Sequence, residues 1–142
     1  MVGKISDGTQ DVHSACGETI TVVLADDHAL VRAGIRTFLA RDKDIEIVGE
    51  AADGVEAVDL VRRLKPDVTL MDINMPRITG IEATRRIKAA LPKARVLVLT
   101  TYDDEFYMGV LSRAGADGYL LKTAKPEELI TAVREARGRI DC

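Results

Sequence analysis

The sequence predicts an α/β fold: a doubly wound, five-stranded parallel sheet in the order 2-1-3-4-5, flanked by five helices. Three observations predict it. Five short apolar runs alternate with stretches of helical periodicity. The runs are rich in Val, Ile and Leu, as strands buried on both faces are. Turn residues stand at the junctions between them. Strands that alternate with helices need crossover connections, hence a parallel sheet covered on both sides, and right-handed crossovers favour the order 2-1-3-4-5. One domain over 20–138 accommodates most of the 142 residues, with 1–19 expected to be a flexible extension and 139–142 the start of a linker or tail.

The predicted strands are ITVVLA (20–25), IEIVGEA (45–51), DVTLMD (67–72), RVLVLTT (95–101) and DGYLLK (117–122). Between them, apolar residues recur three and four apart. Val31, Ile35, Phe38 and Leu39 mark the first helix, and Val55, Val58, Val61 and Leu64 the second. Ile81, Thr84, Ile87 and Leu91 mark the third, and Leu129, Ile130 and Val133 the fifth. The fourth, over 103–114, is weaker, with Phe106, Val110 and Leu111 as its apolar side. Pro66 and Pro92 stand where helices should stop, and Pro126 suits a first helical turn. Asp53-Gly54, Thr79-Gly80 and Ala114-Gly115 read as turns.

Composition narrows the function. Apolar residues make up 46% of the chain, enough for a core, while aromatics are only 4% and Trp is absent, so aliphatic side chains must fill it. A net charge of −3 gives no overall attraction to nucleic acid or anionic lipid. No apolar stretch approaches the roughly 20 residues that span a bilayer, and the first residues lack the apolar core of a signal peptide. Cys16 and Cys142 lie far apart in polar segments, which argues for a reducing cytoplasm over a disulfide framework.

In a parallel sheet, ligands bind at the carboxyl ends of the strands, where strand order reverses. Those ends carry Asp26-Asp27, Asp72, Thr100-Thr101 and Lys122. Each has an ordinary role available: Asp26-Asp27 with His28 as a helix cap and solvated first turn, Asp72 as a turn starter, Thr100 as a β-former, Lys122 as a surface cation. Coincidence at four strand ends is much harder to accept. Clustered carboxylates repel one another until a hard cation arrives, and Mg²⁺ takes oxygen ligands. Three acids and one lysine sum to −2, which a divalent ion balances. A carboxylate can accept a phosphoryl group as a mixed anhydride, with Lys122 and Thr100 stabilising its oxygens.

VVLADDH, LMDINMP, VLVLT and GYLLK, in this order and at these intervals, resemble the receiver domain of bacterial two-component response regulators. DDHALVRAGIRTFL and DGVEAVDLV look most like its NarL/FixJ (LuxR-type) branch. The resemblance implies a flavodoxin-like, CheY-like fold and a signalling domain that catalyses only its own phosphorylation and dephosphorylation. It makes Asp72 the acceptor of a phosphoryl group from a sensor histidine kinase. It implies Mg²⁺ held by Asp27, Asp72 and the backbone carbonyl of Asn74, with Asp26 acting partly through water. Thr100 and Lys122 would contact the phosphoryl group, and Thr100 and Tyr119 would switch together. Homodimerisation is implied on phosphorylation, and DNA binding only through a C-terminal helix-turn-helix outside this sequence. Thr123 departs from the broader receiver pattern, where a proline commonly follows the lysine. Tyr102, two residues past Thr100, and Asn74, two past Asp72, are candidates for modulating dephosphorylation.

Three competing readings have distinguishable signatures. A Mg²⁺-dependent phosphohydrolase would have an acid/base Asp where Asn74 stands. A flavin site needs Gly, Ser or Thr donors after the first strand, where Asp26-Asp27 would repel phosphate. A receiver that signals without phosphate would not need the full constellation.

Overall fold

The computed structural model describes residues 19–101 and 105–138, without the side chains of 105–107. The readings made for the N-terminal extension, for Cys16 and Cys142, for Tyr102, for the ring of Phe106 and for the tail 139–142 lie outside the described residues.

The strands are β1 (Ile20–Ala25), β2 (Ile45–Ala51), β3 (Val68–Asp72), β4 (Arg95–Thr100) and β5 (Gly118–Leu121), and the helices α1 (Ala29–Leu39), α2 (Gly54–Leu64), α3 (Gly80–Ala90), α4 (Glu105–Ala114) and α5 (Pro126–Arg137). The sheet runs β2-β1-β3-β4-β5, and every neighbouring pair is parallel. Alternation along β1 divides the core. Val22 and Leu24 face α1 and α5, packing with Ile35, Leu39, Leu129 and Val133. Val23 and Ala25 face the other layer, with Ala57 and Val61 of α2, Ala83 and Ile87 of α3 and Leu111 of α4. Complete burial of an aliphatic side chain such as Val22 or Leu24 contributes about 1.5–3 kcal/mol.

Burial on both faces holds for the central strands and weakens at the margins. β3 is buried throughout, whereas β2 and β5 are partly exposed because each has a neighbour on one side only. Two of the expected turns are helix starts instead. Asp53 caps α2, its carboxylate accepting from the Glu56 N–H at 2.8 Å, and Thr79 caps α3 by accepting from the Glu82 N–H at 3.2 Å. The third stands as read: Gly115 follows α4 with φ of 98°, in the left-handed region that favours glycine. Leu91 is the residue after α3, and it packs on the same core layer as Ile81 and Ile87 of that helix. Pro126 opens α5, as expected.

Candidate functional site

All five strands end at one edge, and the backbone there aims specific side chains together. β1 stops at Ala25, but its ladder continues one step, the Asp26 N–H donating to the Ala51 carbonyl at 3.0 Å. That bond holds Asp26 at the mouth of the β1–β3 crevice with its side chain fully buried. Neither Asp26 nor Asp27 caps α1. The cap position belongs to His28, whose side chain makes no bond to the helix. Asp26 Oδ1 accepts from the His28 backbone N–H at 2.8 Å, and Arg32 of α1 donates to the Asp26 carbonyl at 2.6 Å.

Asp72 is the last residue of β3 and is 4% exposed. Its Oδ1 accepts from the Ile73 N–H at 2.9 Å and stands 2.9 Å from Lys122 Nζ. The same ammonium lies 3.0 Å from Asp26 Oδ2. Lys122 is aimed by the sheet: its N–H donates to the Thr100 carbonyl at 2.8 Å, extending the β4–β5 ladder past Leu121. Thr100, the last residue of β4, is buried. Asp27 completes the acidic group, its side chain 29% exposed. One donor atom from each of Asp26, Asp27, His28 and Asp72 lies within 4.8 Å of the others.

Burial pushes the Asp72 carboxyl above the usual carboxylate range. The Lys122 hydrogen bond pulls it back, and the charge on Asp26 pushes it up again. Burial pulls the Lys122 ammonium down, but its bonds to Asp72 and Asp26 outweigh this and leave it raised, so it is a cation at neutral pH. One ammonium thus faces two buried carboxylates, and Asp27 adds a third negative charge. Asp27 Oδ1 is shielded from solvent and, among the described residues, has no hydrogen-bond partner.

The loop from Ile73 to Thr79 borders the crevice. The Gly80 N–H donates to the Ile73 carbonyl at 2.7 Å, and the Gly54 N–H to the Pro76 carbonyl at 3.3 Å, so α2 and α3 both hold it. Asn74 is exposed on this loop. Tyr119, paired with Val98 across β4–β5, is 37% exposed, and its hydroxyl donates to Met108 Sδ of α4 at 3.4 Å. Asp26, Asp27, Asp72, Thr100 and Lys122 therefore share one edge, while Tyr119 faces away from it toward α4. Sequence reasoning missed the contacts of Arg32, on α1, and of His28, at the cap position before it.

The similarity to known proteins points the same way. A profile described as the response regulator receiver domain matches residues 22–134. The transcriptional regulatory protein YxjL of Bacillus subtilis is 50% identical over 119 residues, covering 84% of this chain and 55% of that protein. DegU of Brevibacillus brevis, also a transcriptional regulatory protein, is 46% identical over 115 residues, 81% of this chain and 49% of that one. The chain spans about half the length of these curated relatives. Among solved structures, the signal receiver domain of the response regulator NarL from Mycobacterium tuberculosis superposes with a TM-score of 0.82 at 34% identity, covering 86% of this chain and 99% of that chain. A LuxR-family two-component response regulator from Aurantimonas sp. SI85-9A1 gives 0.81 at 38% identity, covering 87% and 89%. With the profile spanning most of the chain and the NarL domain matched almost end to end, this chain belongs to the response regulator receiver family, in its LuxR/NarL branch.

Proposed function

We propose that this chain is the phosphate-accepting switch of a two-component pathway, in which Asp72 takes a phosphoryl group from the phosphohistidine of a sensor kinase. The observation that carries the reading is the bridge by Lys122, 2.9 Å from Asp72 Oδ1 and 3.0 Å from Asp26 Oδ2. Among the described residues, the Ile73 N–H and the Lys122 ammonium both meet Asp72 at Oδ1, which leaves the second oxygen to attack. A P–O bond forms as the P–N bond to the kinase imidazole breaks, the imidazole nitrogen keeping the electron pair. Asp72 becomes a mixed anhydride. Lys122 and Thr100 stabilise charge on the equatorial oxygens.

The donor set fits Mg²⁺. Three of the four clustered residues offer carboxylate oxygens, one of them shielded and, among the described residues, without a hydrogen-bond partner. Asp27, Asp72 and the Asn74 carbonyl would hold the ion, with Asp26 contributing partly through water. Bound Mg²⁺ supplies neutralisation of the charge gathered at the acidic pair.

The receiver spans 20–138, preceded by an extension over 1–19 and followed at 139–142 by a linker or tail. Its relatives are transcriptional regulators about twice its length, which supports a DNA-binding output domain beyond this chain. The phosphorylated receiver governs that domain by changing its own association, in the cytoplasm where ATP-fed kinases act.

Acetyl phosphate with Mg²⁺ tests the reading. One phosphoryl group per chain is expected, absent in Asp72→Asn and absent with a chelator. Undiminished labelling in either case overturns it, and steady turnover of a small phosphate ester would point to a phosphohydrolase instead.

A further inference from the structure

His28 has no task in the mechanism above, yet its ring is turned into the acidic cluster. Nδ1 lies 3.3 Å from Asp26 Oδ1 and 3.1 Å from Asp27 Oδ1. The contact with Asp26 is a hydrogen bond. The contact with Asp27 is not, since Asp27 Oδ1 has no hydrogen-bond partner although the ring nitrogen stands beside it. A shielded oxygen without a donor is destabilising until a cation or donor meets it. The ring is not held by the helix it precedes, and its side chain is 66% exposed. Among the described residues its polar contacts are with the carboxylates.

The spacing is that of ligands around one ion. Donors about 2.1 Å from a metal stand about 3.0 Å apart when adjacent and about 4.2 Å apart when opposite in an octahedron. The two imidazole–carboxylate separations, 3.3 and 3.1 Å, are close to the edges of such a figure, while the four donors, gathered within 4.8 Å, need to draw in slightly to close on an ion. Asp26 divides its oxygens between two neighbours: Oδ2 faces Lys122, and Oδ1 faces His28. The ammonium therefore does not occupy the side on which the imidazole stands.

Resting on the reading of Asp26, Asp27 and Asp72 as an ion site, we propose that His28 is a nitrogen ligand of that site and makes it favour Zn²⁺, Ni²⁺ or Co²⁺ over Mg²⁺. Imidazole nitrogen suits borderline transition ions, whereas Mg²⁺ seeks oxygen and keeps its waters. His28 thus adds affinity for the first group and little for the second. A transition ion seated there competes with Mg²⁺ for the same carboxylates.

Calorimetric titration of the whole chain with Ni²⁺ and, separately, with Mg²⁺ tests this. The other histidine of the chain, His13, is replaced by Asn in every protein compared, so that it cannot supply the nitrogen. His28→Asn is expected to lower the ratio of Ni²⁺ to Mg²⁺ affinity by about tenfold or more. In the ¹⁵N spectrum of the parent, Ni²⁺ should broaden the His28 ring resonances first, a readout that does not depend on a variant folding. A ratio unchanged in His28→Asn, or a His28 ring untouched by Ni²⁺ at saturation, overturns the inference. Failure of Mg²⁺ to bind the parent overturns instead the underlying assignment of the acidic site.

Discussion

A methyl group on Gly80 would stand 1.8 Å from the carbonyl oxygen of Asp72, so the start of α3 and the end of β3 share space that only a hydrogen fills. The obstacle is backbone and cannot swing aside. Gly80→Ala is expected to cost about 2 kcal/mol or more, at the upper end of overpacking, and to slow phosphoryl uptake by displacing Asp72. Gly34, inside α1 with nothing within 4 Å of the added carbon, is the control. Gly34→Ala should stabilise by about 0.5–1 kcal/mol. Urea midpoints of the two variants check both directions.

Asp72 is held among charges that burial disfavours, its carboxyl raised chiefly by loss of solvent. In metal-free buffer at neutral pH, Asp72→Asn should therefore raise the unfolding temperature even as it abolishes phosphorylation. Differential scanning calorimetry in chelator checks it. A less stable variant would mean that the Lys122 bridge outweighs desolvation.

Glu50 carries the pH dependence away from the site. Its bond to Arg36 holds the carboxyl below the usual range against the opposing effect of burial, and Arg32 adds to the lowering. A depressed folded-state value means that the folded protein binds fewer protons than the unfolded one. The associated stability is present above the ordinary value of 4.5 and is lost as pH falls through the folded value. Glu50→Gln should therefore unfold less steeply with acid below about pH 4.5, and thermal melts from pH 7 down to pH 3 measure this. The pair is partly solvated, so its contribution is modest and shrinks with added salt.

Tyr119 rests on Met108 with its hydroxyl on the sulfur, and its strand pairs with the one that ends in Thr100. Beryllofluoride with Mg²⁺, a phosphoryl mimic, should draw Thr100 toward the ligand and release Tyr119 from Met108. The Tyr119 ring resonances should lose solvent exposure, and light scattering should register stronger self-association through the α4–β5–α5 face or through α1 and α5. Identical behaviour with and without the mimic argues against the coupling.

A guarding role for Tyr102, two residues past Thr100, is open to a direct test. Tyr102→Ala should lose bound phosphate severalfold faster after donor removal, with Mg²⁺ affinity unaltered. Decay followed on a phosphate-affinity gel decides it.

The strands were legible because each central one is a run of aliphatic residues, and the strand-end residues were legible because a parallel sheet gathers its carboxyl ends. What escaped was three-dimensional. Asp53-Gly54 and Thr79-Gly80 read as turns because an Asx or Thr side chain bonds its own backbone equally well in a turn and at a helix start. The glycines serve close approach to Ile78 and Asp72, which no local pattern encodes. Arg32 carried no signal in the sequence; its grip on the Asp26 carbonyl and on Glu50 joins α1, the β1 end and β2. His28 does take the cap position, but the turning of its ring to Asp26 and Asp27 instead of to the helix depends on how the chain bends after β1.

Lys122 meets Asp26 across 96 residues of chain. A ribosome adds roughly 5–20 residues each second, so the acidic half of the pair is made about 5–20 s before its ammonium. Through that interval Asp26 and Asp27, joined midway by Asp72, are without the cation that bridges Asp26 and Asp72, and the β4–β5 edge does not yet exist. The Lys122 bridge between Asp26 and Asp72 therefore forms only once the last strand has been made, after nearly the whole domain has been synthesised.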